Sequence, residues 1–168
     1  TEGRAAHSAY PEAGESAVEK LLDILNDIRA CDWPGDSFFG DTTCNNGVLN
    51  GGTRPNVIPD RARAELQIRL ATDIERIKPV VERAVAGRAG LEYLSAHDPV
   101  RLFSVAGFDD CVVRFTTDVP YLSNWGKPLL IGPGSILDAH TDHERIAKHE
   151  LERAVDLYVA LAKKLNAL

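Results

Sequence analysis

The sequence predicts an α+β fold built on an antiparallel sheet, and three observations carry that expectation. RARAELQIRLAT alternates apolar and polar residues without a break, as a half-buried strand does. Two amphipathic helical segments flank it, and strand-type runs bounded by turn residues lie before and after.

Taken in order, GESAVEKLLDILNDIRA places Val18, Leu21, Leu22, Leu25 and Ile28 at spacings of three and four, which is one apolar stripe on a helix. Ser16 is its expected N-cap, with Glu19 three residues on to complete a capping box. Pro34 and Gly35 in CDWPGD then stop it. SFFGDTTCNNGVLNGG is a strand-like run punctuated by the turn signals Asn-Asn-Gly and Asn-Gly-Gly. In the clearest strand, Ala62, Ala64, Leu66, Ile68 and Leu70 face one way and Arg61, Arg63, Glu65, Gln67 and Arg69 the other. DIERIKPVVERAVAG predicts a second helix with Asp73 as N-cap and Gly87 as terminator, Pro79 kinking it or marking its first turns. LEYLSAH predicts a further strand.

Strand, helix, strand, strand, helix, strand over roughly residues 3 to 98 is the order of a ferredoxin-like sandwich, an antiparallel sheet with two helices on one face. The character then changes. CVVRF and KPLLIG are short apolar runs suited to a sheet buried on both faces, and ELERAVDLYVALAKKL is a terminal helix with Leu151, Ala154, Val155, Tyr158 and Leu161 on one side. A boundary near residues 98 to 107 divides the chain into 1–100 and 101–168.

With 168 residues, 44% apolar and 26% charged, the chain can bury a core. Its formal charge of −6, with Lys and Arg dispersed, argues against nucleic acid or an anionic membrane as partner. No apolar run approaches the ~18 residues of a membrane span. Cys31, Cys44 and Cys111 are odd in number and far apart, which favours free thiols and a cytoplasmic location over disulfides or a cysteine zinc site. The chain opens without methionine and contains none, so it is expected to be a segment of something longer.

Four stretches offer chemistry. GPGSILDAHTDH gathers Asp138, His140, Asp142 and His143, imidazoles and carboxylates of the kind that bind zinc. The competing reading makes Asp142 a helix cap and leaves His143 and Asp138 solvated; His140, after a glycine-rich turn and the run KPLLI, is the better ligand candidate. His7 in GRAAHSAYP is either functional or an ordinary histidine on a strand. NGGTRPNVIPDRA holds Asn56 in a tight, irregular backbone that serves a task or merely a turn. Arg69 lies on the polar face of the best strand, either solvated or gripping a carboxylate with both arms of its guanidinium. No Gly-x-Ser-x-Gly, P-loop, dinucleotide fingerprint or H-E-x-x-H occurs.

GRAAHSAYPEAGESAVEKLLDIL, GGTRPNVIPDRARAELQIRL and LLIGPGSILDAHTDHE, in that order and at these separations, resemble the M20 family of metal-dependent peptidases and deacylases, most closely its acetylornithine deacetylase-like members. The resemblance implies that residues 1–100 are a ferredoxin-like lid that also forms a homodimer. Residues 101–168 would be the last part of an α/β catalytic domain that holds two zinc ions in the complete enzyme. It further implies His140 as a metal ligand, His7 as a catalytic residue reaching a neighbouring subunit's site, and Asn56, Arg69, Gly134 and Ser135 as substrate-binding residues. The substrates implied are N-acyl amino acids or short peptides, hydrolysed by a metal-activated water with a glutamate relaying its proton. The family's other metal ligands and paired glutamates have no counterpart here: no H-x-D and no adjacent glutamates occur. The chain alone is therefore expected to be inactive and to hold zinc poorly. The alternative is a stand-alone dimerisation or small-ligand-binding module.

Overall fold

The computed structural model describes residues 1–167. The chain forms two compact units: one of Thr1–Val100 with Val112–Pro120, the other of Arg101–Cys111 with the segment from Tyr121 onward. In the first unit the regular elements are β1 (Ala6–His7), α1 (Ala17–Arg29), β2 (Thr43–Gly51), β3 (Val57–Ile58), β4 (Ala62–Arg69) and α2 (Ile74–Val85).

β4 is the axis of the sheet. It pairs antiparallel with β2 from Thr43 opposite Arg69 to Gly51 opposite Ala62, with a bulge between Asn46 and Val48. β1 pairs antiparallel with β3, Ala6 opposite Ile58 and His7 opposite Val57. A bridge between Glu2 and Arg61, and two main-chain hydrogen bonds between Thr1 and Ala62, carry that pairing into the start of β4. Residues 57–69 thus have the N-terminal strand on one side and β2 on the other. β2 hydrogen-bonds to β4 alone among the described residues and carries no charged side chain.

Both helices lie on one face. The alternation read in β4 holds: Ala62 is buried and Ala64, Leu66, Ile68 and Leu70 are half-buried. Leu66, Ile68 and Leu70 pack against Ile24 and Ile28 of α1 and Ile77, Val81, Ala84 and Val85 of α2. A second cluster joins Ala17, Leu21 and Leu25 of α1 to Ala62. Ile77 is 1% exposed, so it contributes close to the full burial free energy of an isoleucine, on the order of 2 kcal/mol. The expected stripe on α1 shifts by part of a turn: Ala17 and Ile24 are buried, while Leu22 is exposed.

The helix ends repay inspection. Ser16 Oγ accepts the Glu19 N–H at 3.2 Å, the cap its position predicts. Asp73 occupies the N-cap position of α2 without bonding it; Asp98 Oδ1 instead accepts the Ile74 N–H at 2.8 Å. Pro79 lies inside α2, and the helix closes one residue before the expected glycine, with Ala86 at φ 50° and its N–H on the Glu82 carbonyl.

LEYLSAH is not a strand. The outer edge of the N-terminal segment, where a fourth strand would pair, is occupied at Arg4, whose N–H and C=O both bond Glu15. Tyr93 lies instead under the Lys78 ammonium, 5.9 Å from ring centre to nitrogen.

The second unit contains α3 (Lys148–Leu165) and a capped 3₁₀ turn at Ile136–Asp138. KPLLIG is irregular rather than stranded, and so is CVVRF, whose residues from Val112 onward belong to the first unit. Apolar runs of this kind become strands only when a neighbouring strand pairs with their backbone; for KPLLIG the bonds seen among the described residues are isolated ones, the Phe103 N–H on the Pro128 carbonyl at 2.7 Å and the Tyr158 hydroxyl on the Ile131 carbonyl at 3.5 Å. Ala154 and Leu161 of α3 are buried, whereas Leu151, Val155 and Tyr158, expected on the same side, are exposed. Among the described residues no helix is long and apolar enough to cross a membrane.

Candidate functional site

In the first unit, β-pairing brings His7 and Asn56 together. His7 ends β1 opposite Val57, and the Ser8 N–H donates to the Asn56 carbonyl at 3.0 Å. A turn closed by the Val57 N–H on the Arg54 carbonyl at 3.1 Å presents Asn56 at the surface, which is the task the proline-rich stretch performs locally. The His7 ring is exposed, lies edge-on to Tyr10 with centroids 6.4 Å apart, and accepts the Ala9 N–H at Nδ1, 3.2 Å away. With Nδ1 acting as acceptor, the neutral imidazole carries its proton on Nε2. Nε2 is then the ring nitrogen left to donate.

Arg69 sits at the far end of β4, half-buried, its Nη1 donating to the Thr116 hydroxyl. Thr116 was not singled out from sequence, because a lone threonine 47 residues away carries no local signal. The eight residues of β4 alone span roughly 23 Å at strand rise. Arg69 therefore lies well away from the His7–Asn56 pair within the first unit.

In the second unit, Gly134 has φ 84°, and a Cβ there would come within 3.2 Å of Ile146 Cδ1, so glycine is required. Ser135 Oγ caps the short 3₁₀ turn by accepting the Leu137 N–H at 3.2 Å, and its hydroxyl proton stays available to a ligand. His140 follows that turn at φ 60°, exposed, with its main-chain N–H on Glu144 Oε2 at 2.9 Å. Glu144 is a further residue that motif reading passed over. Asp142 does not cap a helix: α3 starts only at Lys148, where Glu150 Oε2 accepts the Ala147 N–H. Asp142 and His143 are exposed, and Asp138 serves through its carbonyl, which accepts the Thr141 hydroxyl at 2.9 Å.

Among the described residues no three His, Cys, Asp or Glu side chains converge as a metal group. A catalytic zinc takes three protein ligands, so the donor set of this chain does not by itself fit one. The three cysteines are free thiols, and burial pushes those of Cys31 and Cys44 above their ordinary range, which lowers their thiolate fraction.

Residues 1–90 match the peptidase dimerisation domain of the M20 peptidases. Over 159 residues the chain is 35% identical to a peptidase M20 domain-containing protein of Schizosaccharomyces pombe, covering 93% of this chain and 40% of that one. A probable carboxypeptidase of Aspergillus clavatus is 35% identical over 186 residues, with 96% and 41% covered. The crystal structure of an aminobenzoyl-glutamate utilization protein from Klebsiella pneumoniae is 28% identical over 52% of this chain and 22% of that one, with a TM-score of 0.45. The chain spans about two fifths of the length of the curated relatives it matches.

Proposed function

Because the chain belongs to the M20 peptidase family through its dimerisation domain, we propose that it is the C-terminal portion of a metal-dependent amidohydrolase. Residues 1–100 form its lid and residues 101–168 the last part of its catalytic domain. The substrates are N-acyl amino acids or short peptides, and the products an amine and a carboxylate. The observation that carries this reading is the match of the dimerisation domain over residues 1–90, extended over nearly the whole chain by relatives called peptidases and probable carboxypeptidases.

Each proposed role follows from a side chain's own chemistry. His7 presents an Nε2–H to the carbonyl of the scissile amide and stabilises negative charge as it develops on that oxygen. Asn56, beside it, offers amide donors to the same substrate. Arg69 supplies the fork that grips a substrate carboxylate. Gly134 and Ser135 line the pocket with backbone and a hydroxyl. His140 contributes one imidazole to the zinc centre, and the remaining ligands come from the upstream part of the catalytic domain.

His7–Asn56 and Arg69 stand at opposite ends of one lid, which supports an active site completed across a two-fold axis in a homodimer. An isologous pair places the His7 end of one protomer against the Arg69 end of the other. A second reading is a stand-alone non-catalytic dimerisation or small-ligand-binding module, which the match of residues 1–90 to a dimerisation domain also supports.

One comparison separates the two. The 168-residue chain and a longer polypeptide that adds the upstream part of the catalytic domain are assayed on N-acetylornithine and dipeptides, with zinc content measured. Hydrolysis and two zinc ions in the longer form only are expected. Turnover by the short chain would overturn the claim of inactivity, and an inert, zinc-free longer form would overturn the enzyme reading.

A further inference from the structure

The loop that carries His140 is closed on itself, and the closure acts on the main chain of that residue. At φ 60° His140 is one of two non-glycine residues in the left-handed region among those described, a conformation that a side-chain-bearing residue keeps only when its surroundings hold it. Its N–H donates to Glu144 Oε2 at 2.9 Å, and the Glu144 N–H donates back to the Thr141 carbonyl at 3.1 Å. The Thr141 hydroxyl on the Asp138 carbonyl and the His143 N–H on Thr141 Oγ1, at 2.9 and 3.3 Å, brace the same ring. The His140 imidazole itself is exposed and has no bonding partner among the described residues, so its ring nitrogens are open to a ligand.

We propose that Glu144 is a positioning residue for His140. Its carboxylate holds the histidine's main chain left-handed and thereby fixes the direction in which the imidazole leaves the loop. A hydrogen bond to an ionised acceptor is about twice as strong as a neutral one, and it offsets a conformation that glycine would adopt without penalty but that only histidine makes useful. This assignment rests on His140 being a metal ligand, yet the clamp is a property of the loop and is measured without metal.

The test is amide hydrogen exchange by NMR on the ¹⁵N-labelled 168-residue chain. Glu144→Ala is expected to speed exchange at His140 roughly five- to tenfold, the loss of one net hydrogen bond, while the amides of α3 around Ala154 keep their rates. Glu144→Gln retains a carbonyl acceptor at the same reach and restores protection at His140. An unchanged His140 rate in Glu144→Ala, an equal acceleration throughout α3, or no rescue by glutamine would overturn the proposal. Should Glu144→Ala lose its folded spectrum, the wild-type chain decides: coupling constants that place His140 outside the left-handed region overturn the clamp. Since no readout involves zinc, failure of the clamp and failure of the ligand assignment are told apart.

Discussion

His7 and Arg69 occupy opposite ends of one antiparallel layer: His7 faces Val57 across the β1–β3 pair, and Arg69 faces Thr43 at the far end of the β4–β2 pair. In the proposed homodimer a small substrate bound by both draws them from different protomers. In the complete enzyme His7→Ala and Arg69→Ala each lower kcat/KM by two orders of magnitude or more, about 3 kcal/mol of transition-state binding. Mixing the two inactive variants under exchange conditions then restores about a quarter of wild-type activity, because half the dimers are mixed and each contains one intact site. A mixture as inactive as its components would exclude a site shared across the axis.

Metal content is the direct check on His140. In the complete enzyme His140→Ala lowers bound zinc and abolishes turnover while leaving the dimer intact, as read by elemental analysis and size-exclusion chromatography. His7→Ala, by contrast, leaves zinc unchanged. Normal zinc in His140→Ala would remove it from the ligand set.

The lid core has a clear centre. Ile77, almost fully enclosed between α1, α2 and β4, loses about 2 to 5 kcal/mol on substitution by alanine. Leu22 on the exposed side of α1 loses less than about 1 kcal/mol. Urea denaturation of the two variants measures the difference.

Alkaline pH probes the half-buried thiols. Burial raises the Cys31 and Cys44 thiols above the ordinary 9.0 in the folded state. Between 9.0 and the raised values the unfolded chain releases protons that the folded chain keeps, so stability is full below that window and falls as pH rises through it. The double variant Cys31→Ala with Cys44→Ala shows a shallower fall when urea midpoints are compared from neutral pH into the alkaline range. Identical slopes would show that other groups govern alkaline unfolding.

What the sequence discloses is what local chemistry decides. The Ser16 cap on α1 and the alternation of β4 were legible because a cap needs three residues and a strand face needs a period of two. Gly134 was legible as a turn glycine, although the Ile146 side chain that a Cβ there would crowd was not. LEYLSAH and KPLLIG have strand-type composition, but a strand exists only when a partner offers its edge. Glu15 takes that edge in one case, and in the other no described strand supplies it. His7 and Asn56 could be named from the resemblance, yet their adjacency and the Nε2 proton depend on the pairing of segments some fifty residues apart. The Thr116 contact of Arg69 is equally non-local, while Glu144 was close in sequence and hidden by its resemblance to an ordinary first-turn acid.

The outer side of β2 has a consequence for handling the protein. Sheet proteins guard open edges with lysine, proline or inward-pointing charge, and TCNNGVLNG has none of these, only the irregularity at Gly47. The N–H and C=O groups on that side are paired to no strand among the described residues, which makes them a template for a second strand. Protein concentration thereby becomes a variable of the folded state itself, and light scattering across a dilution series should track it before any substrate is added.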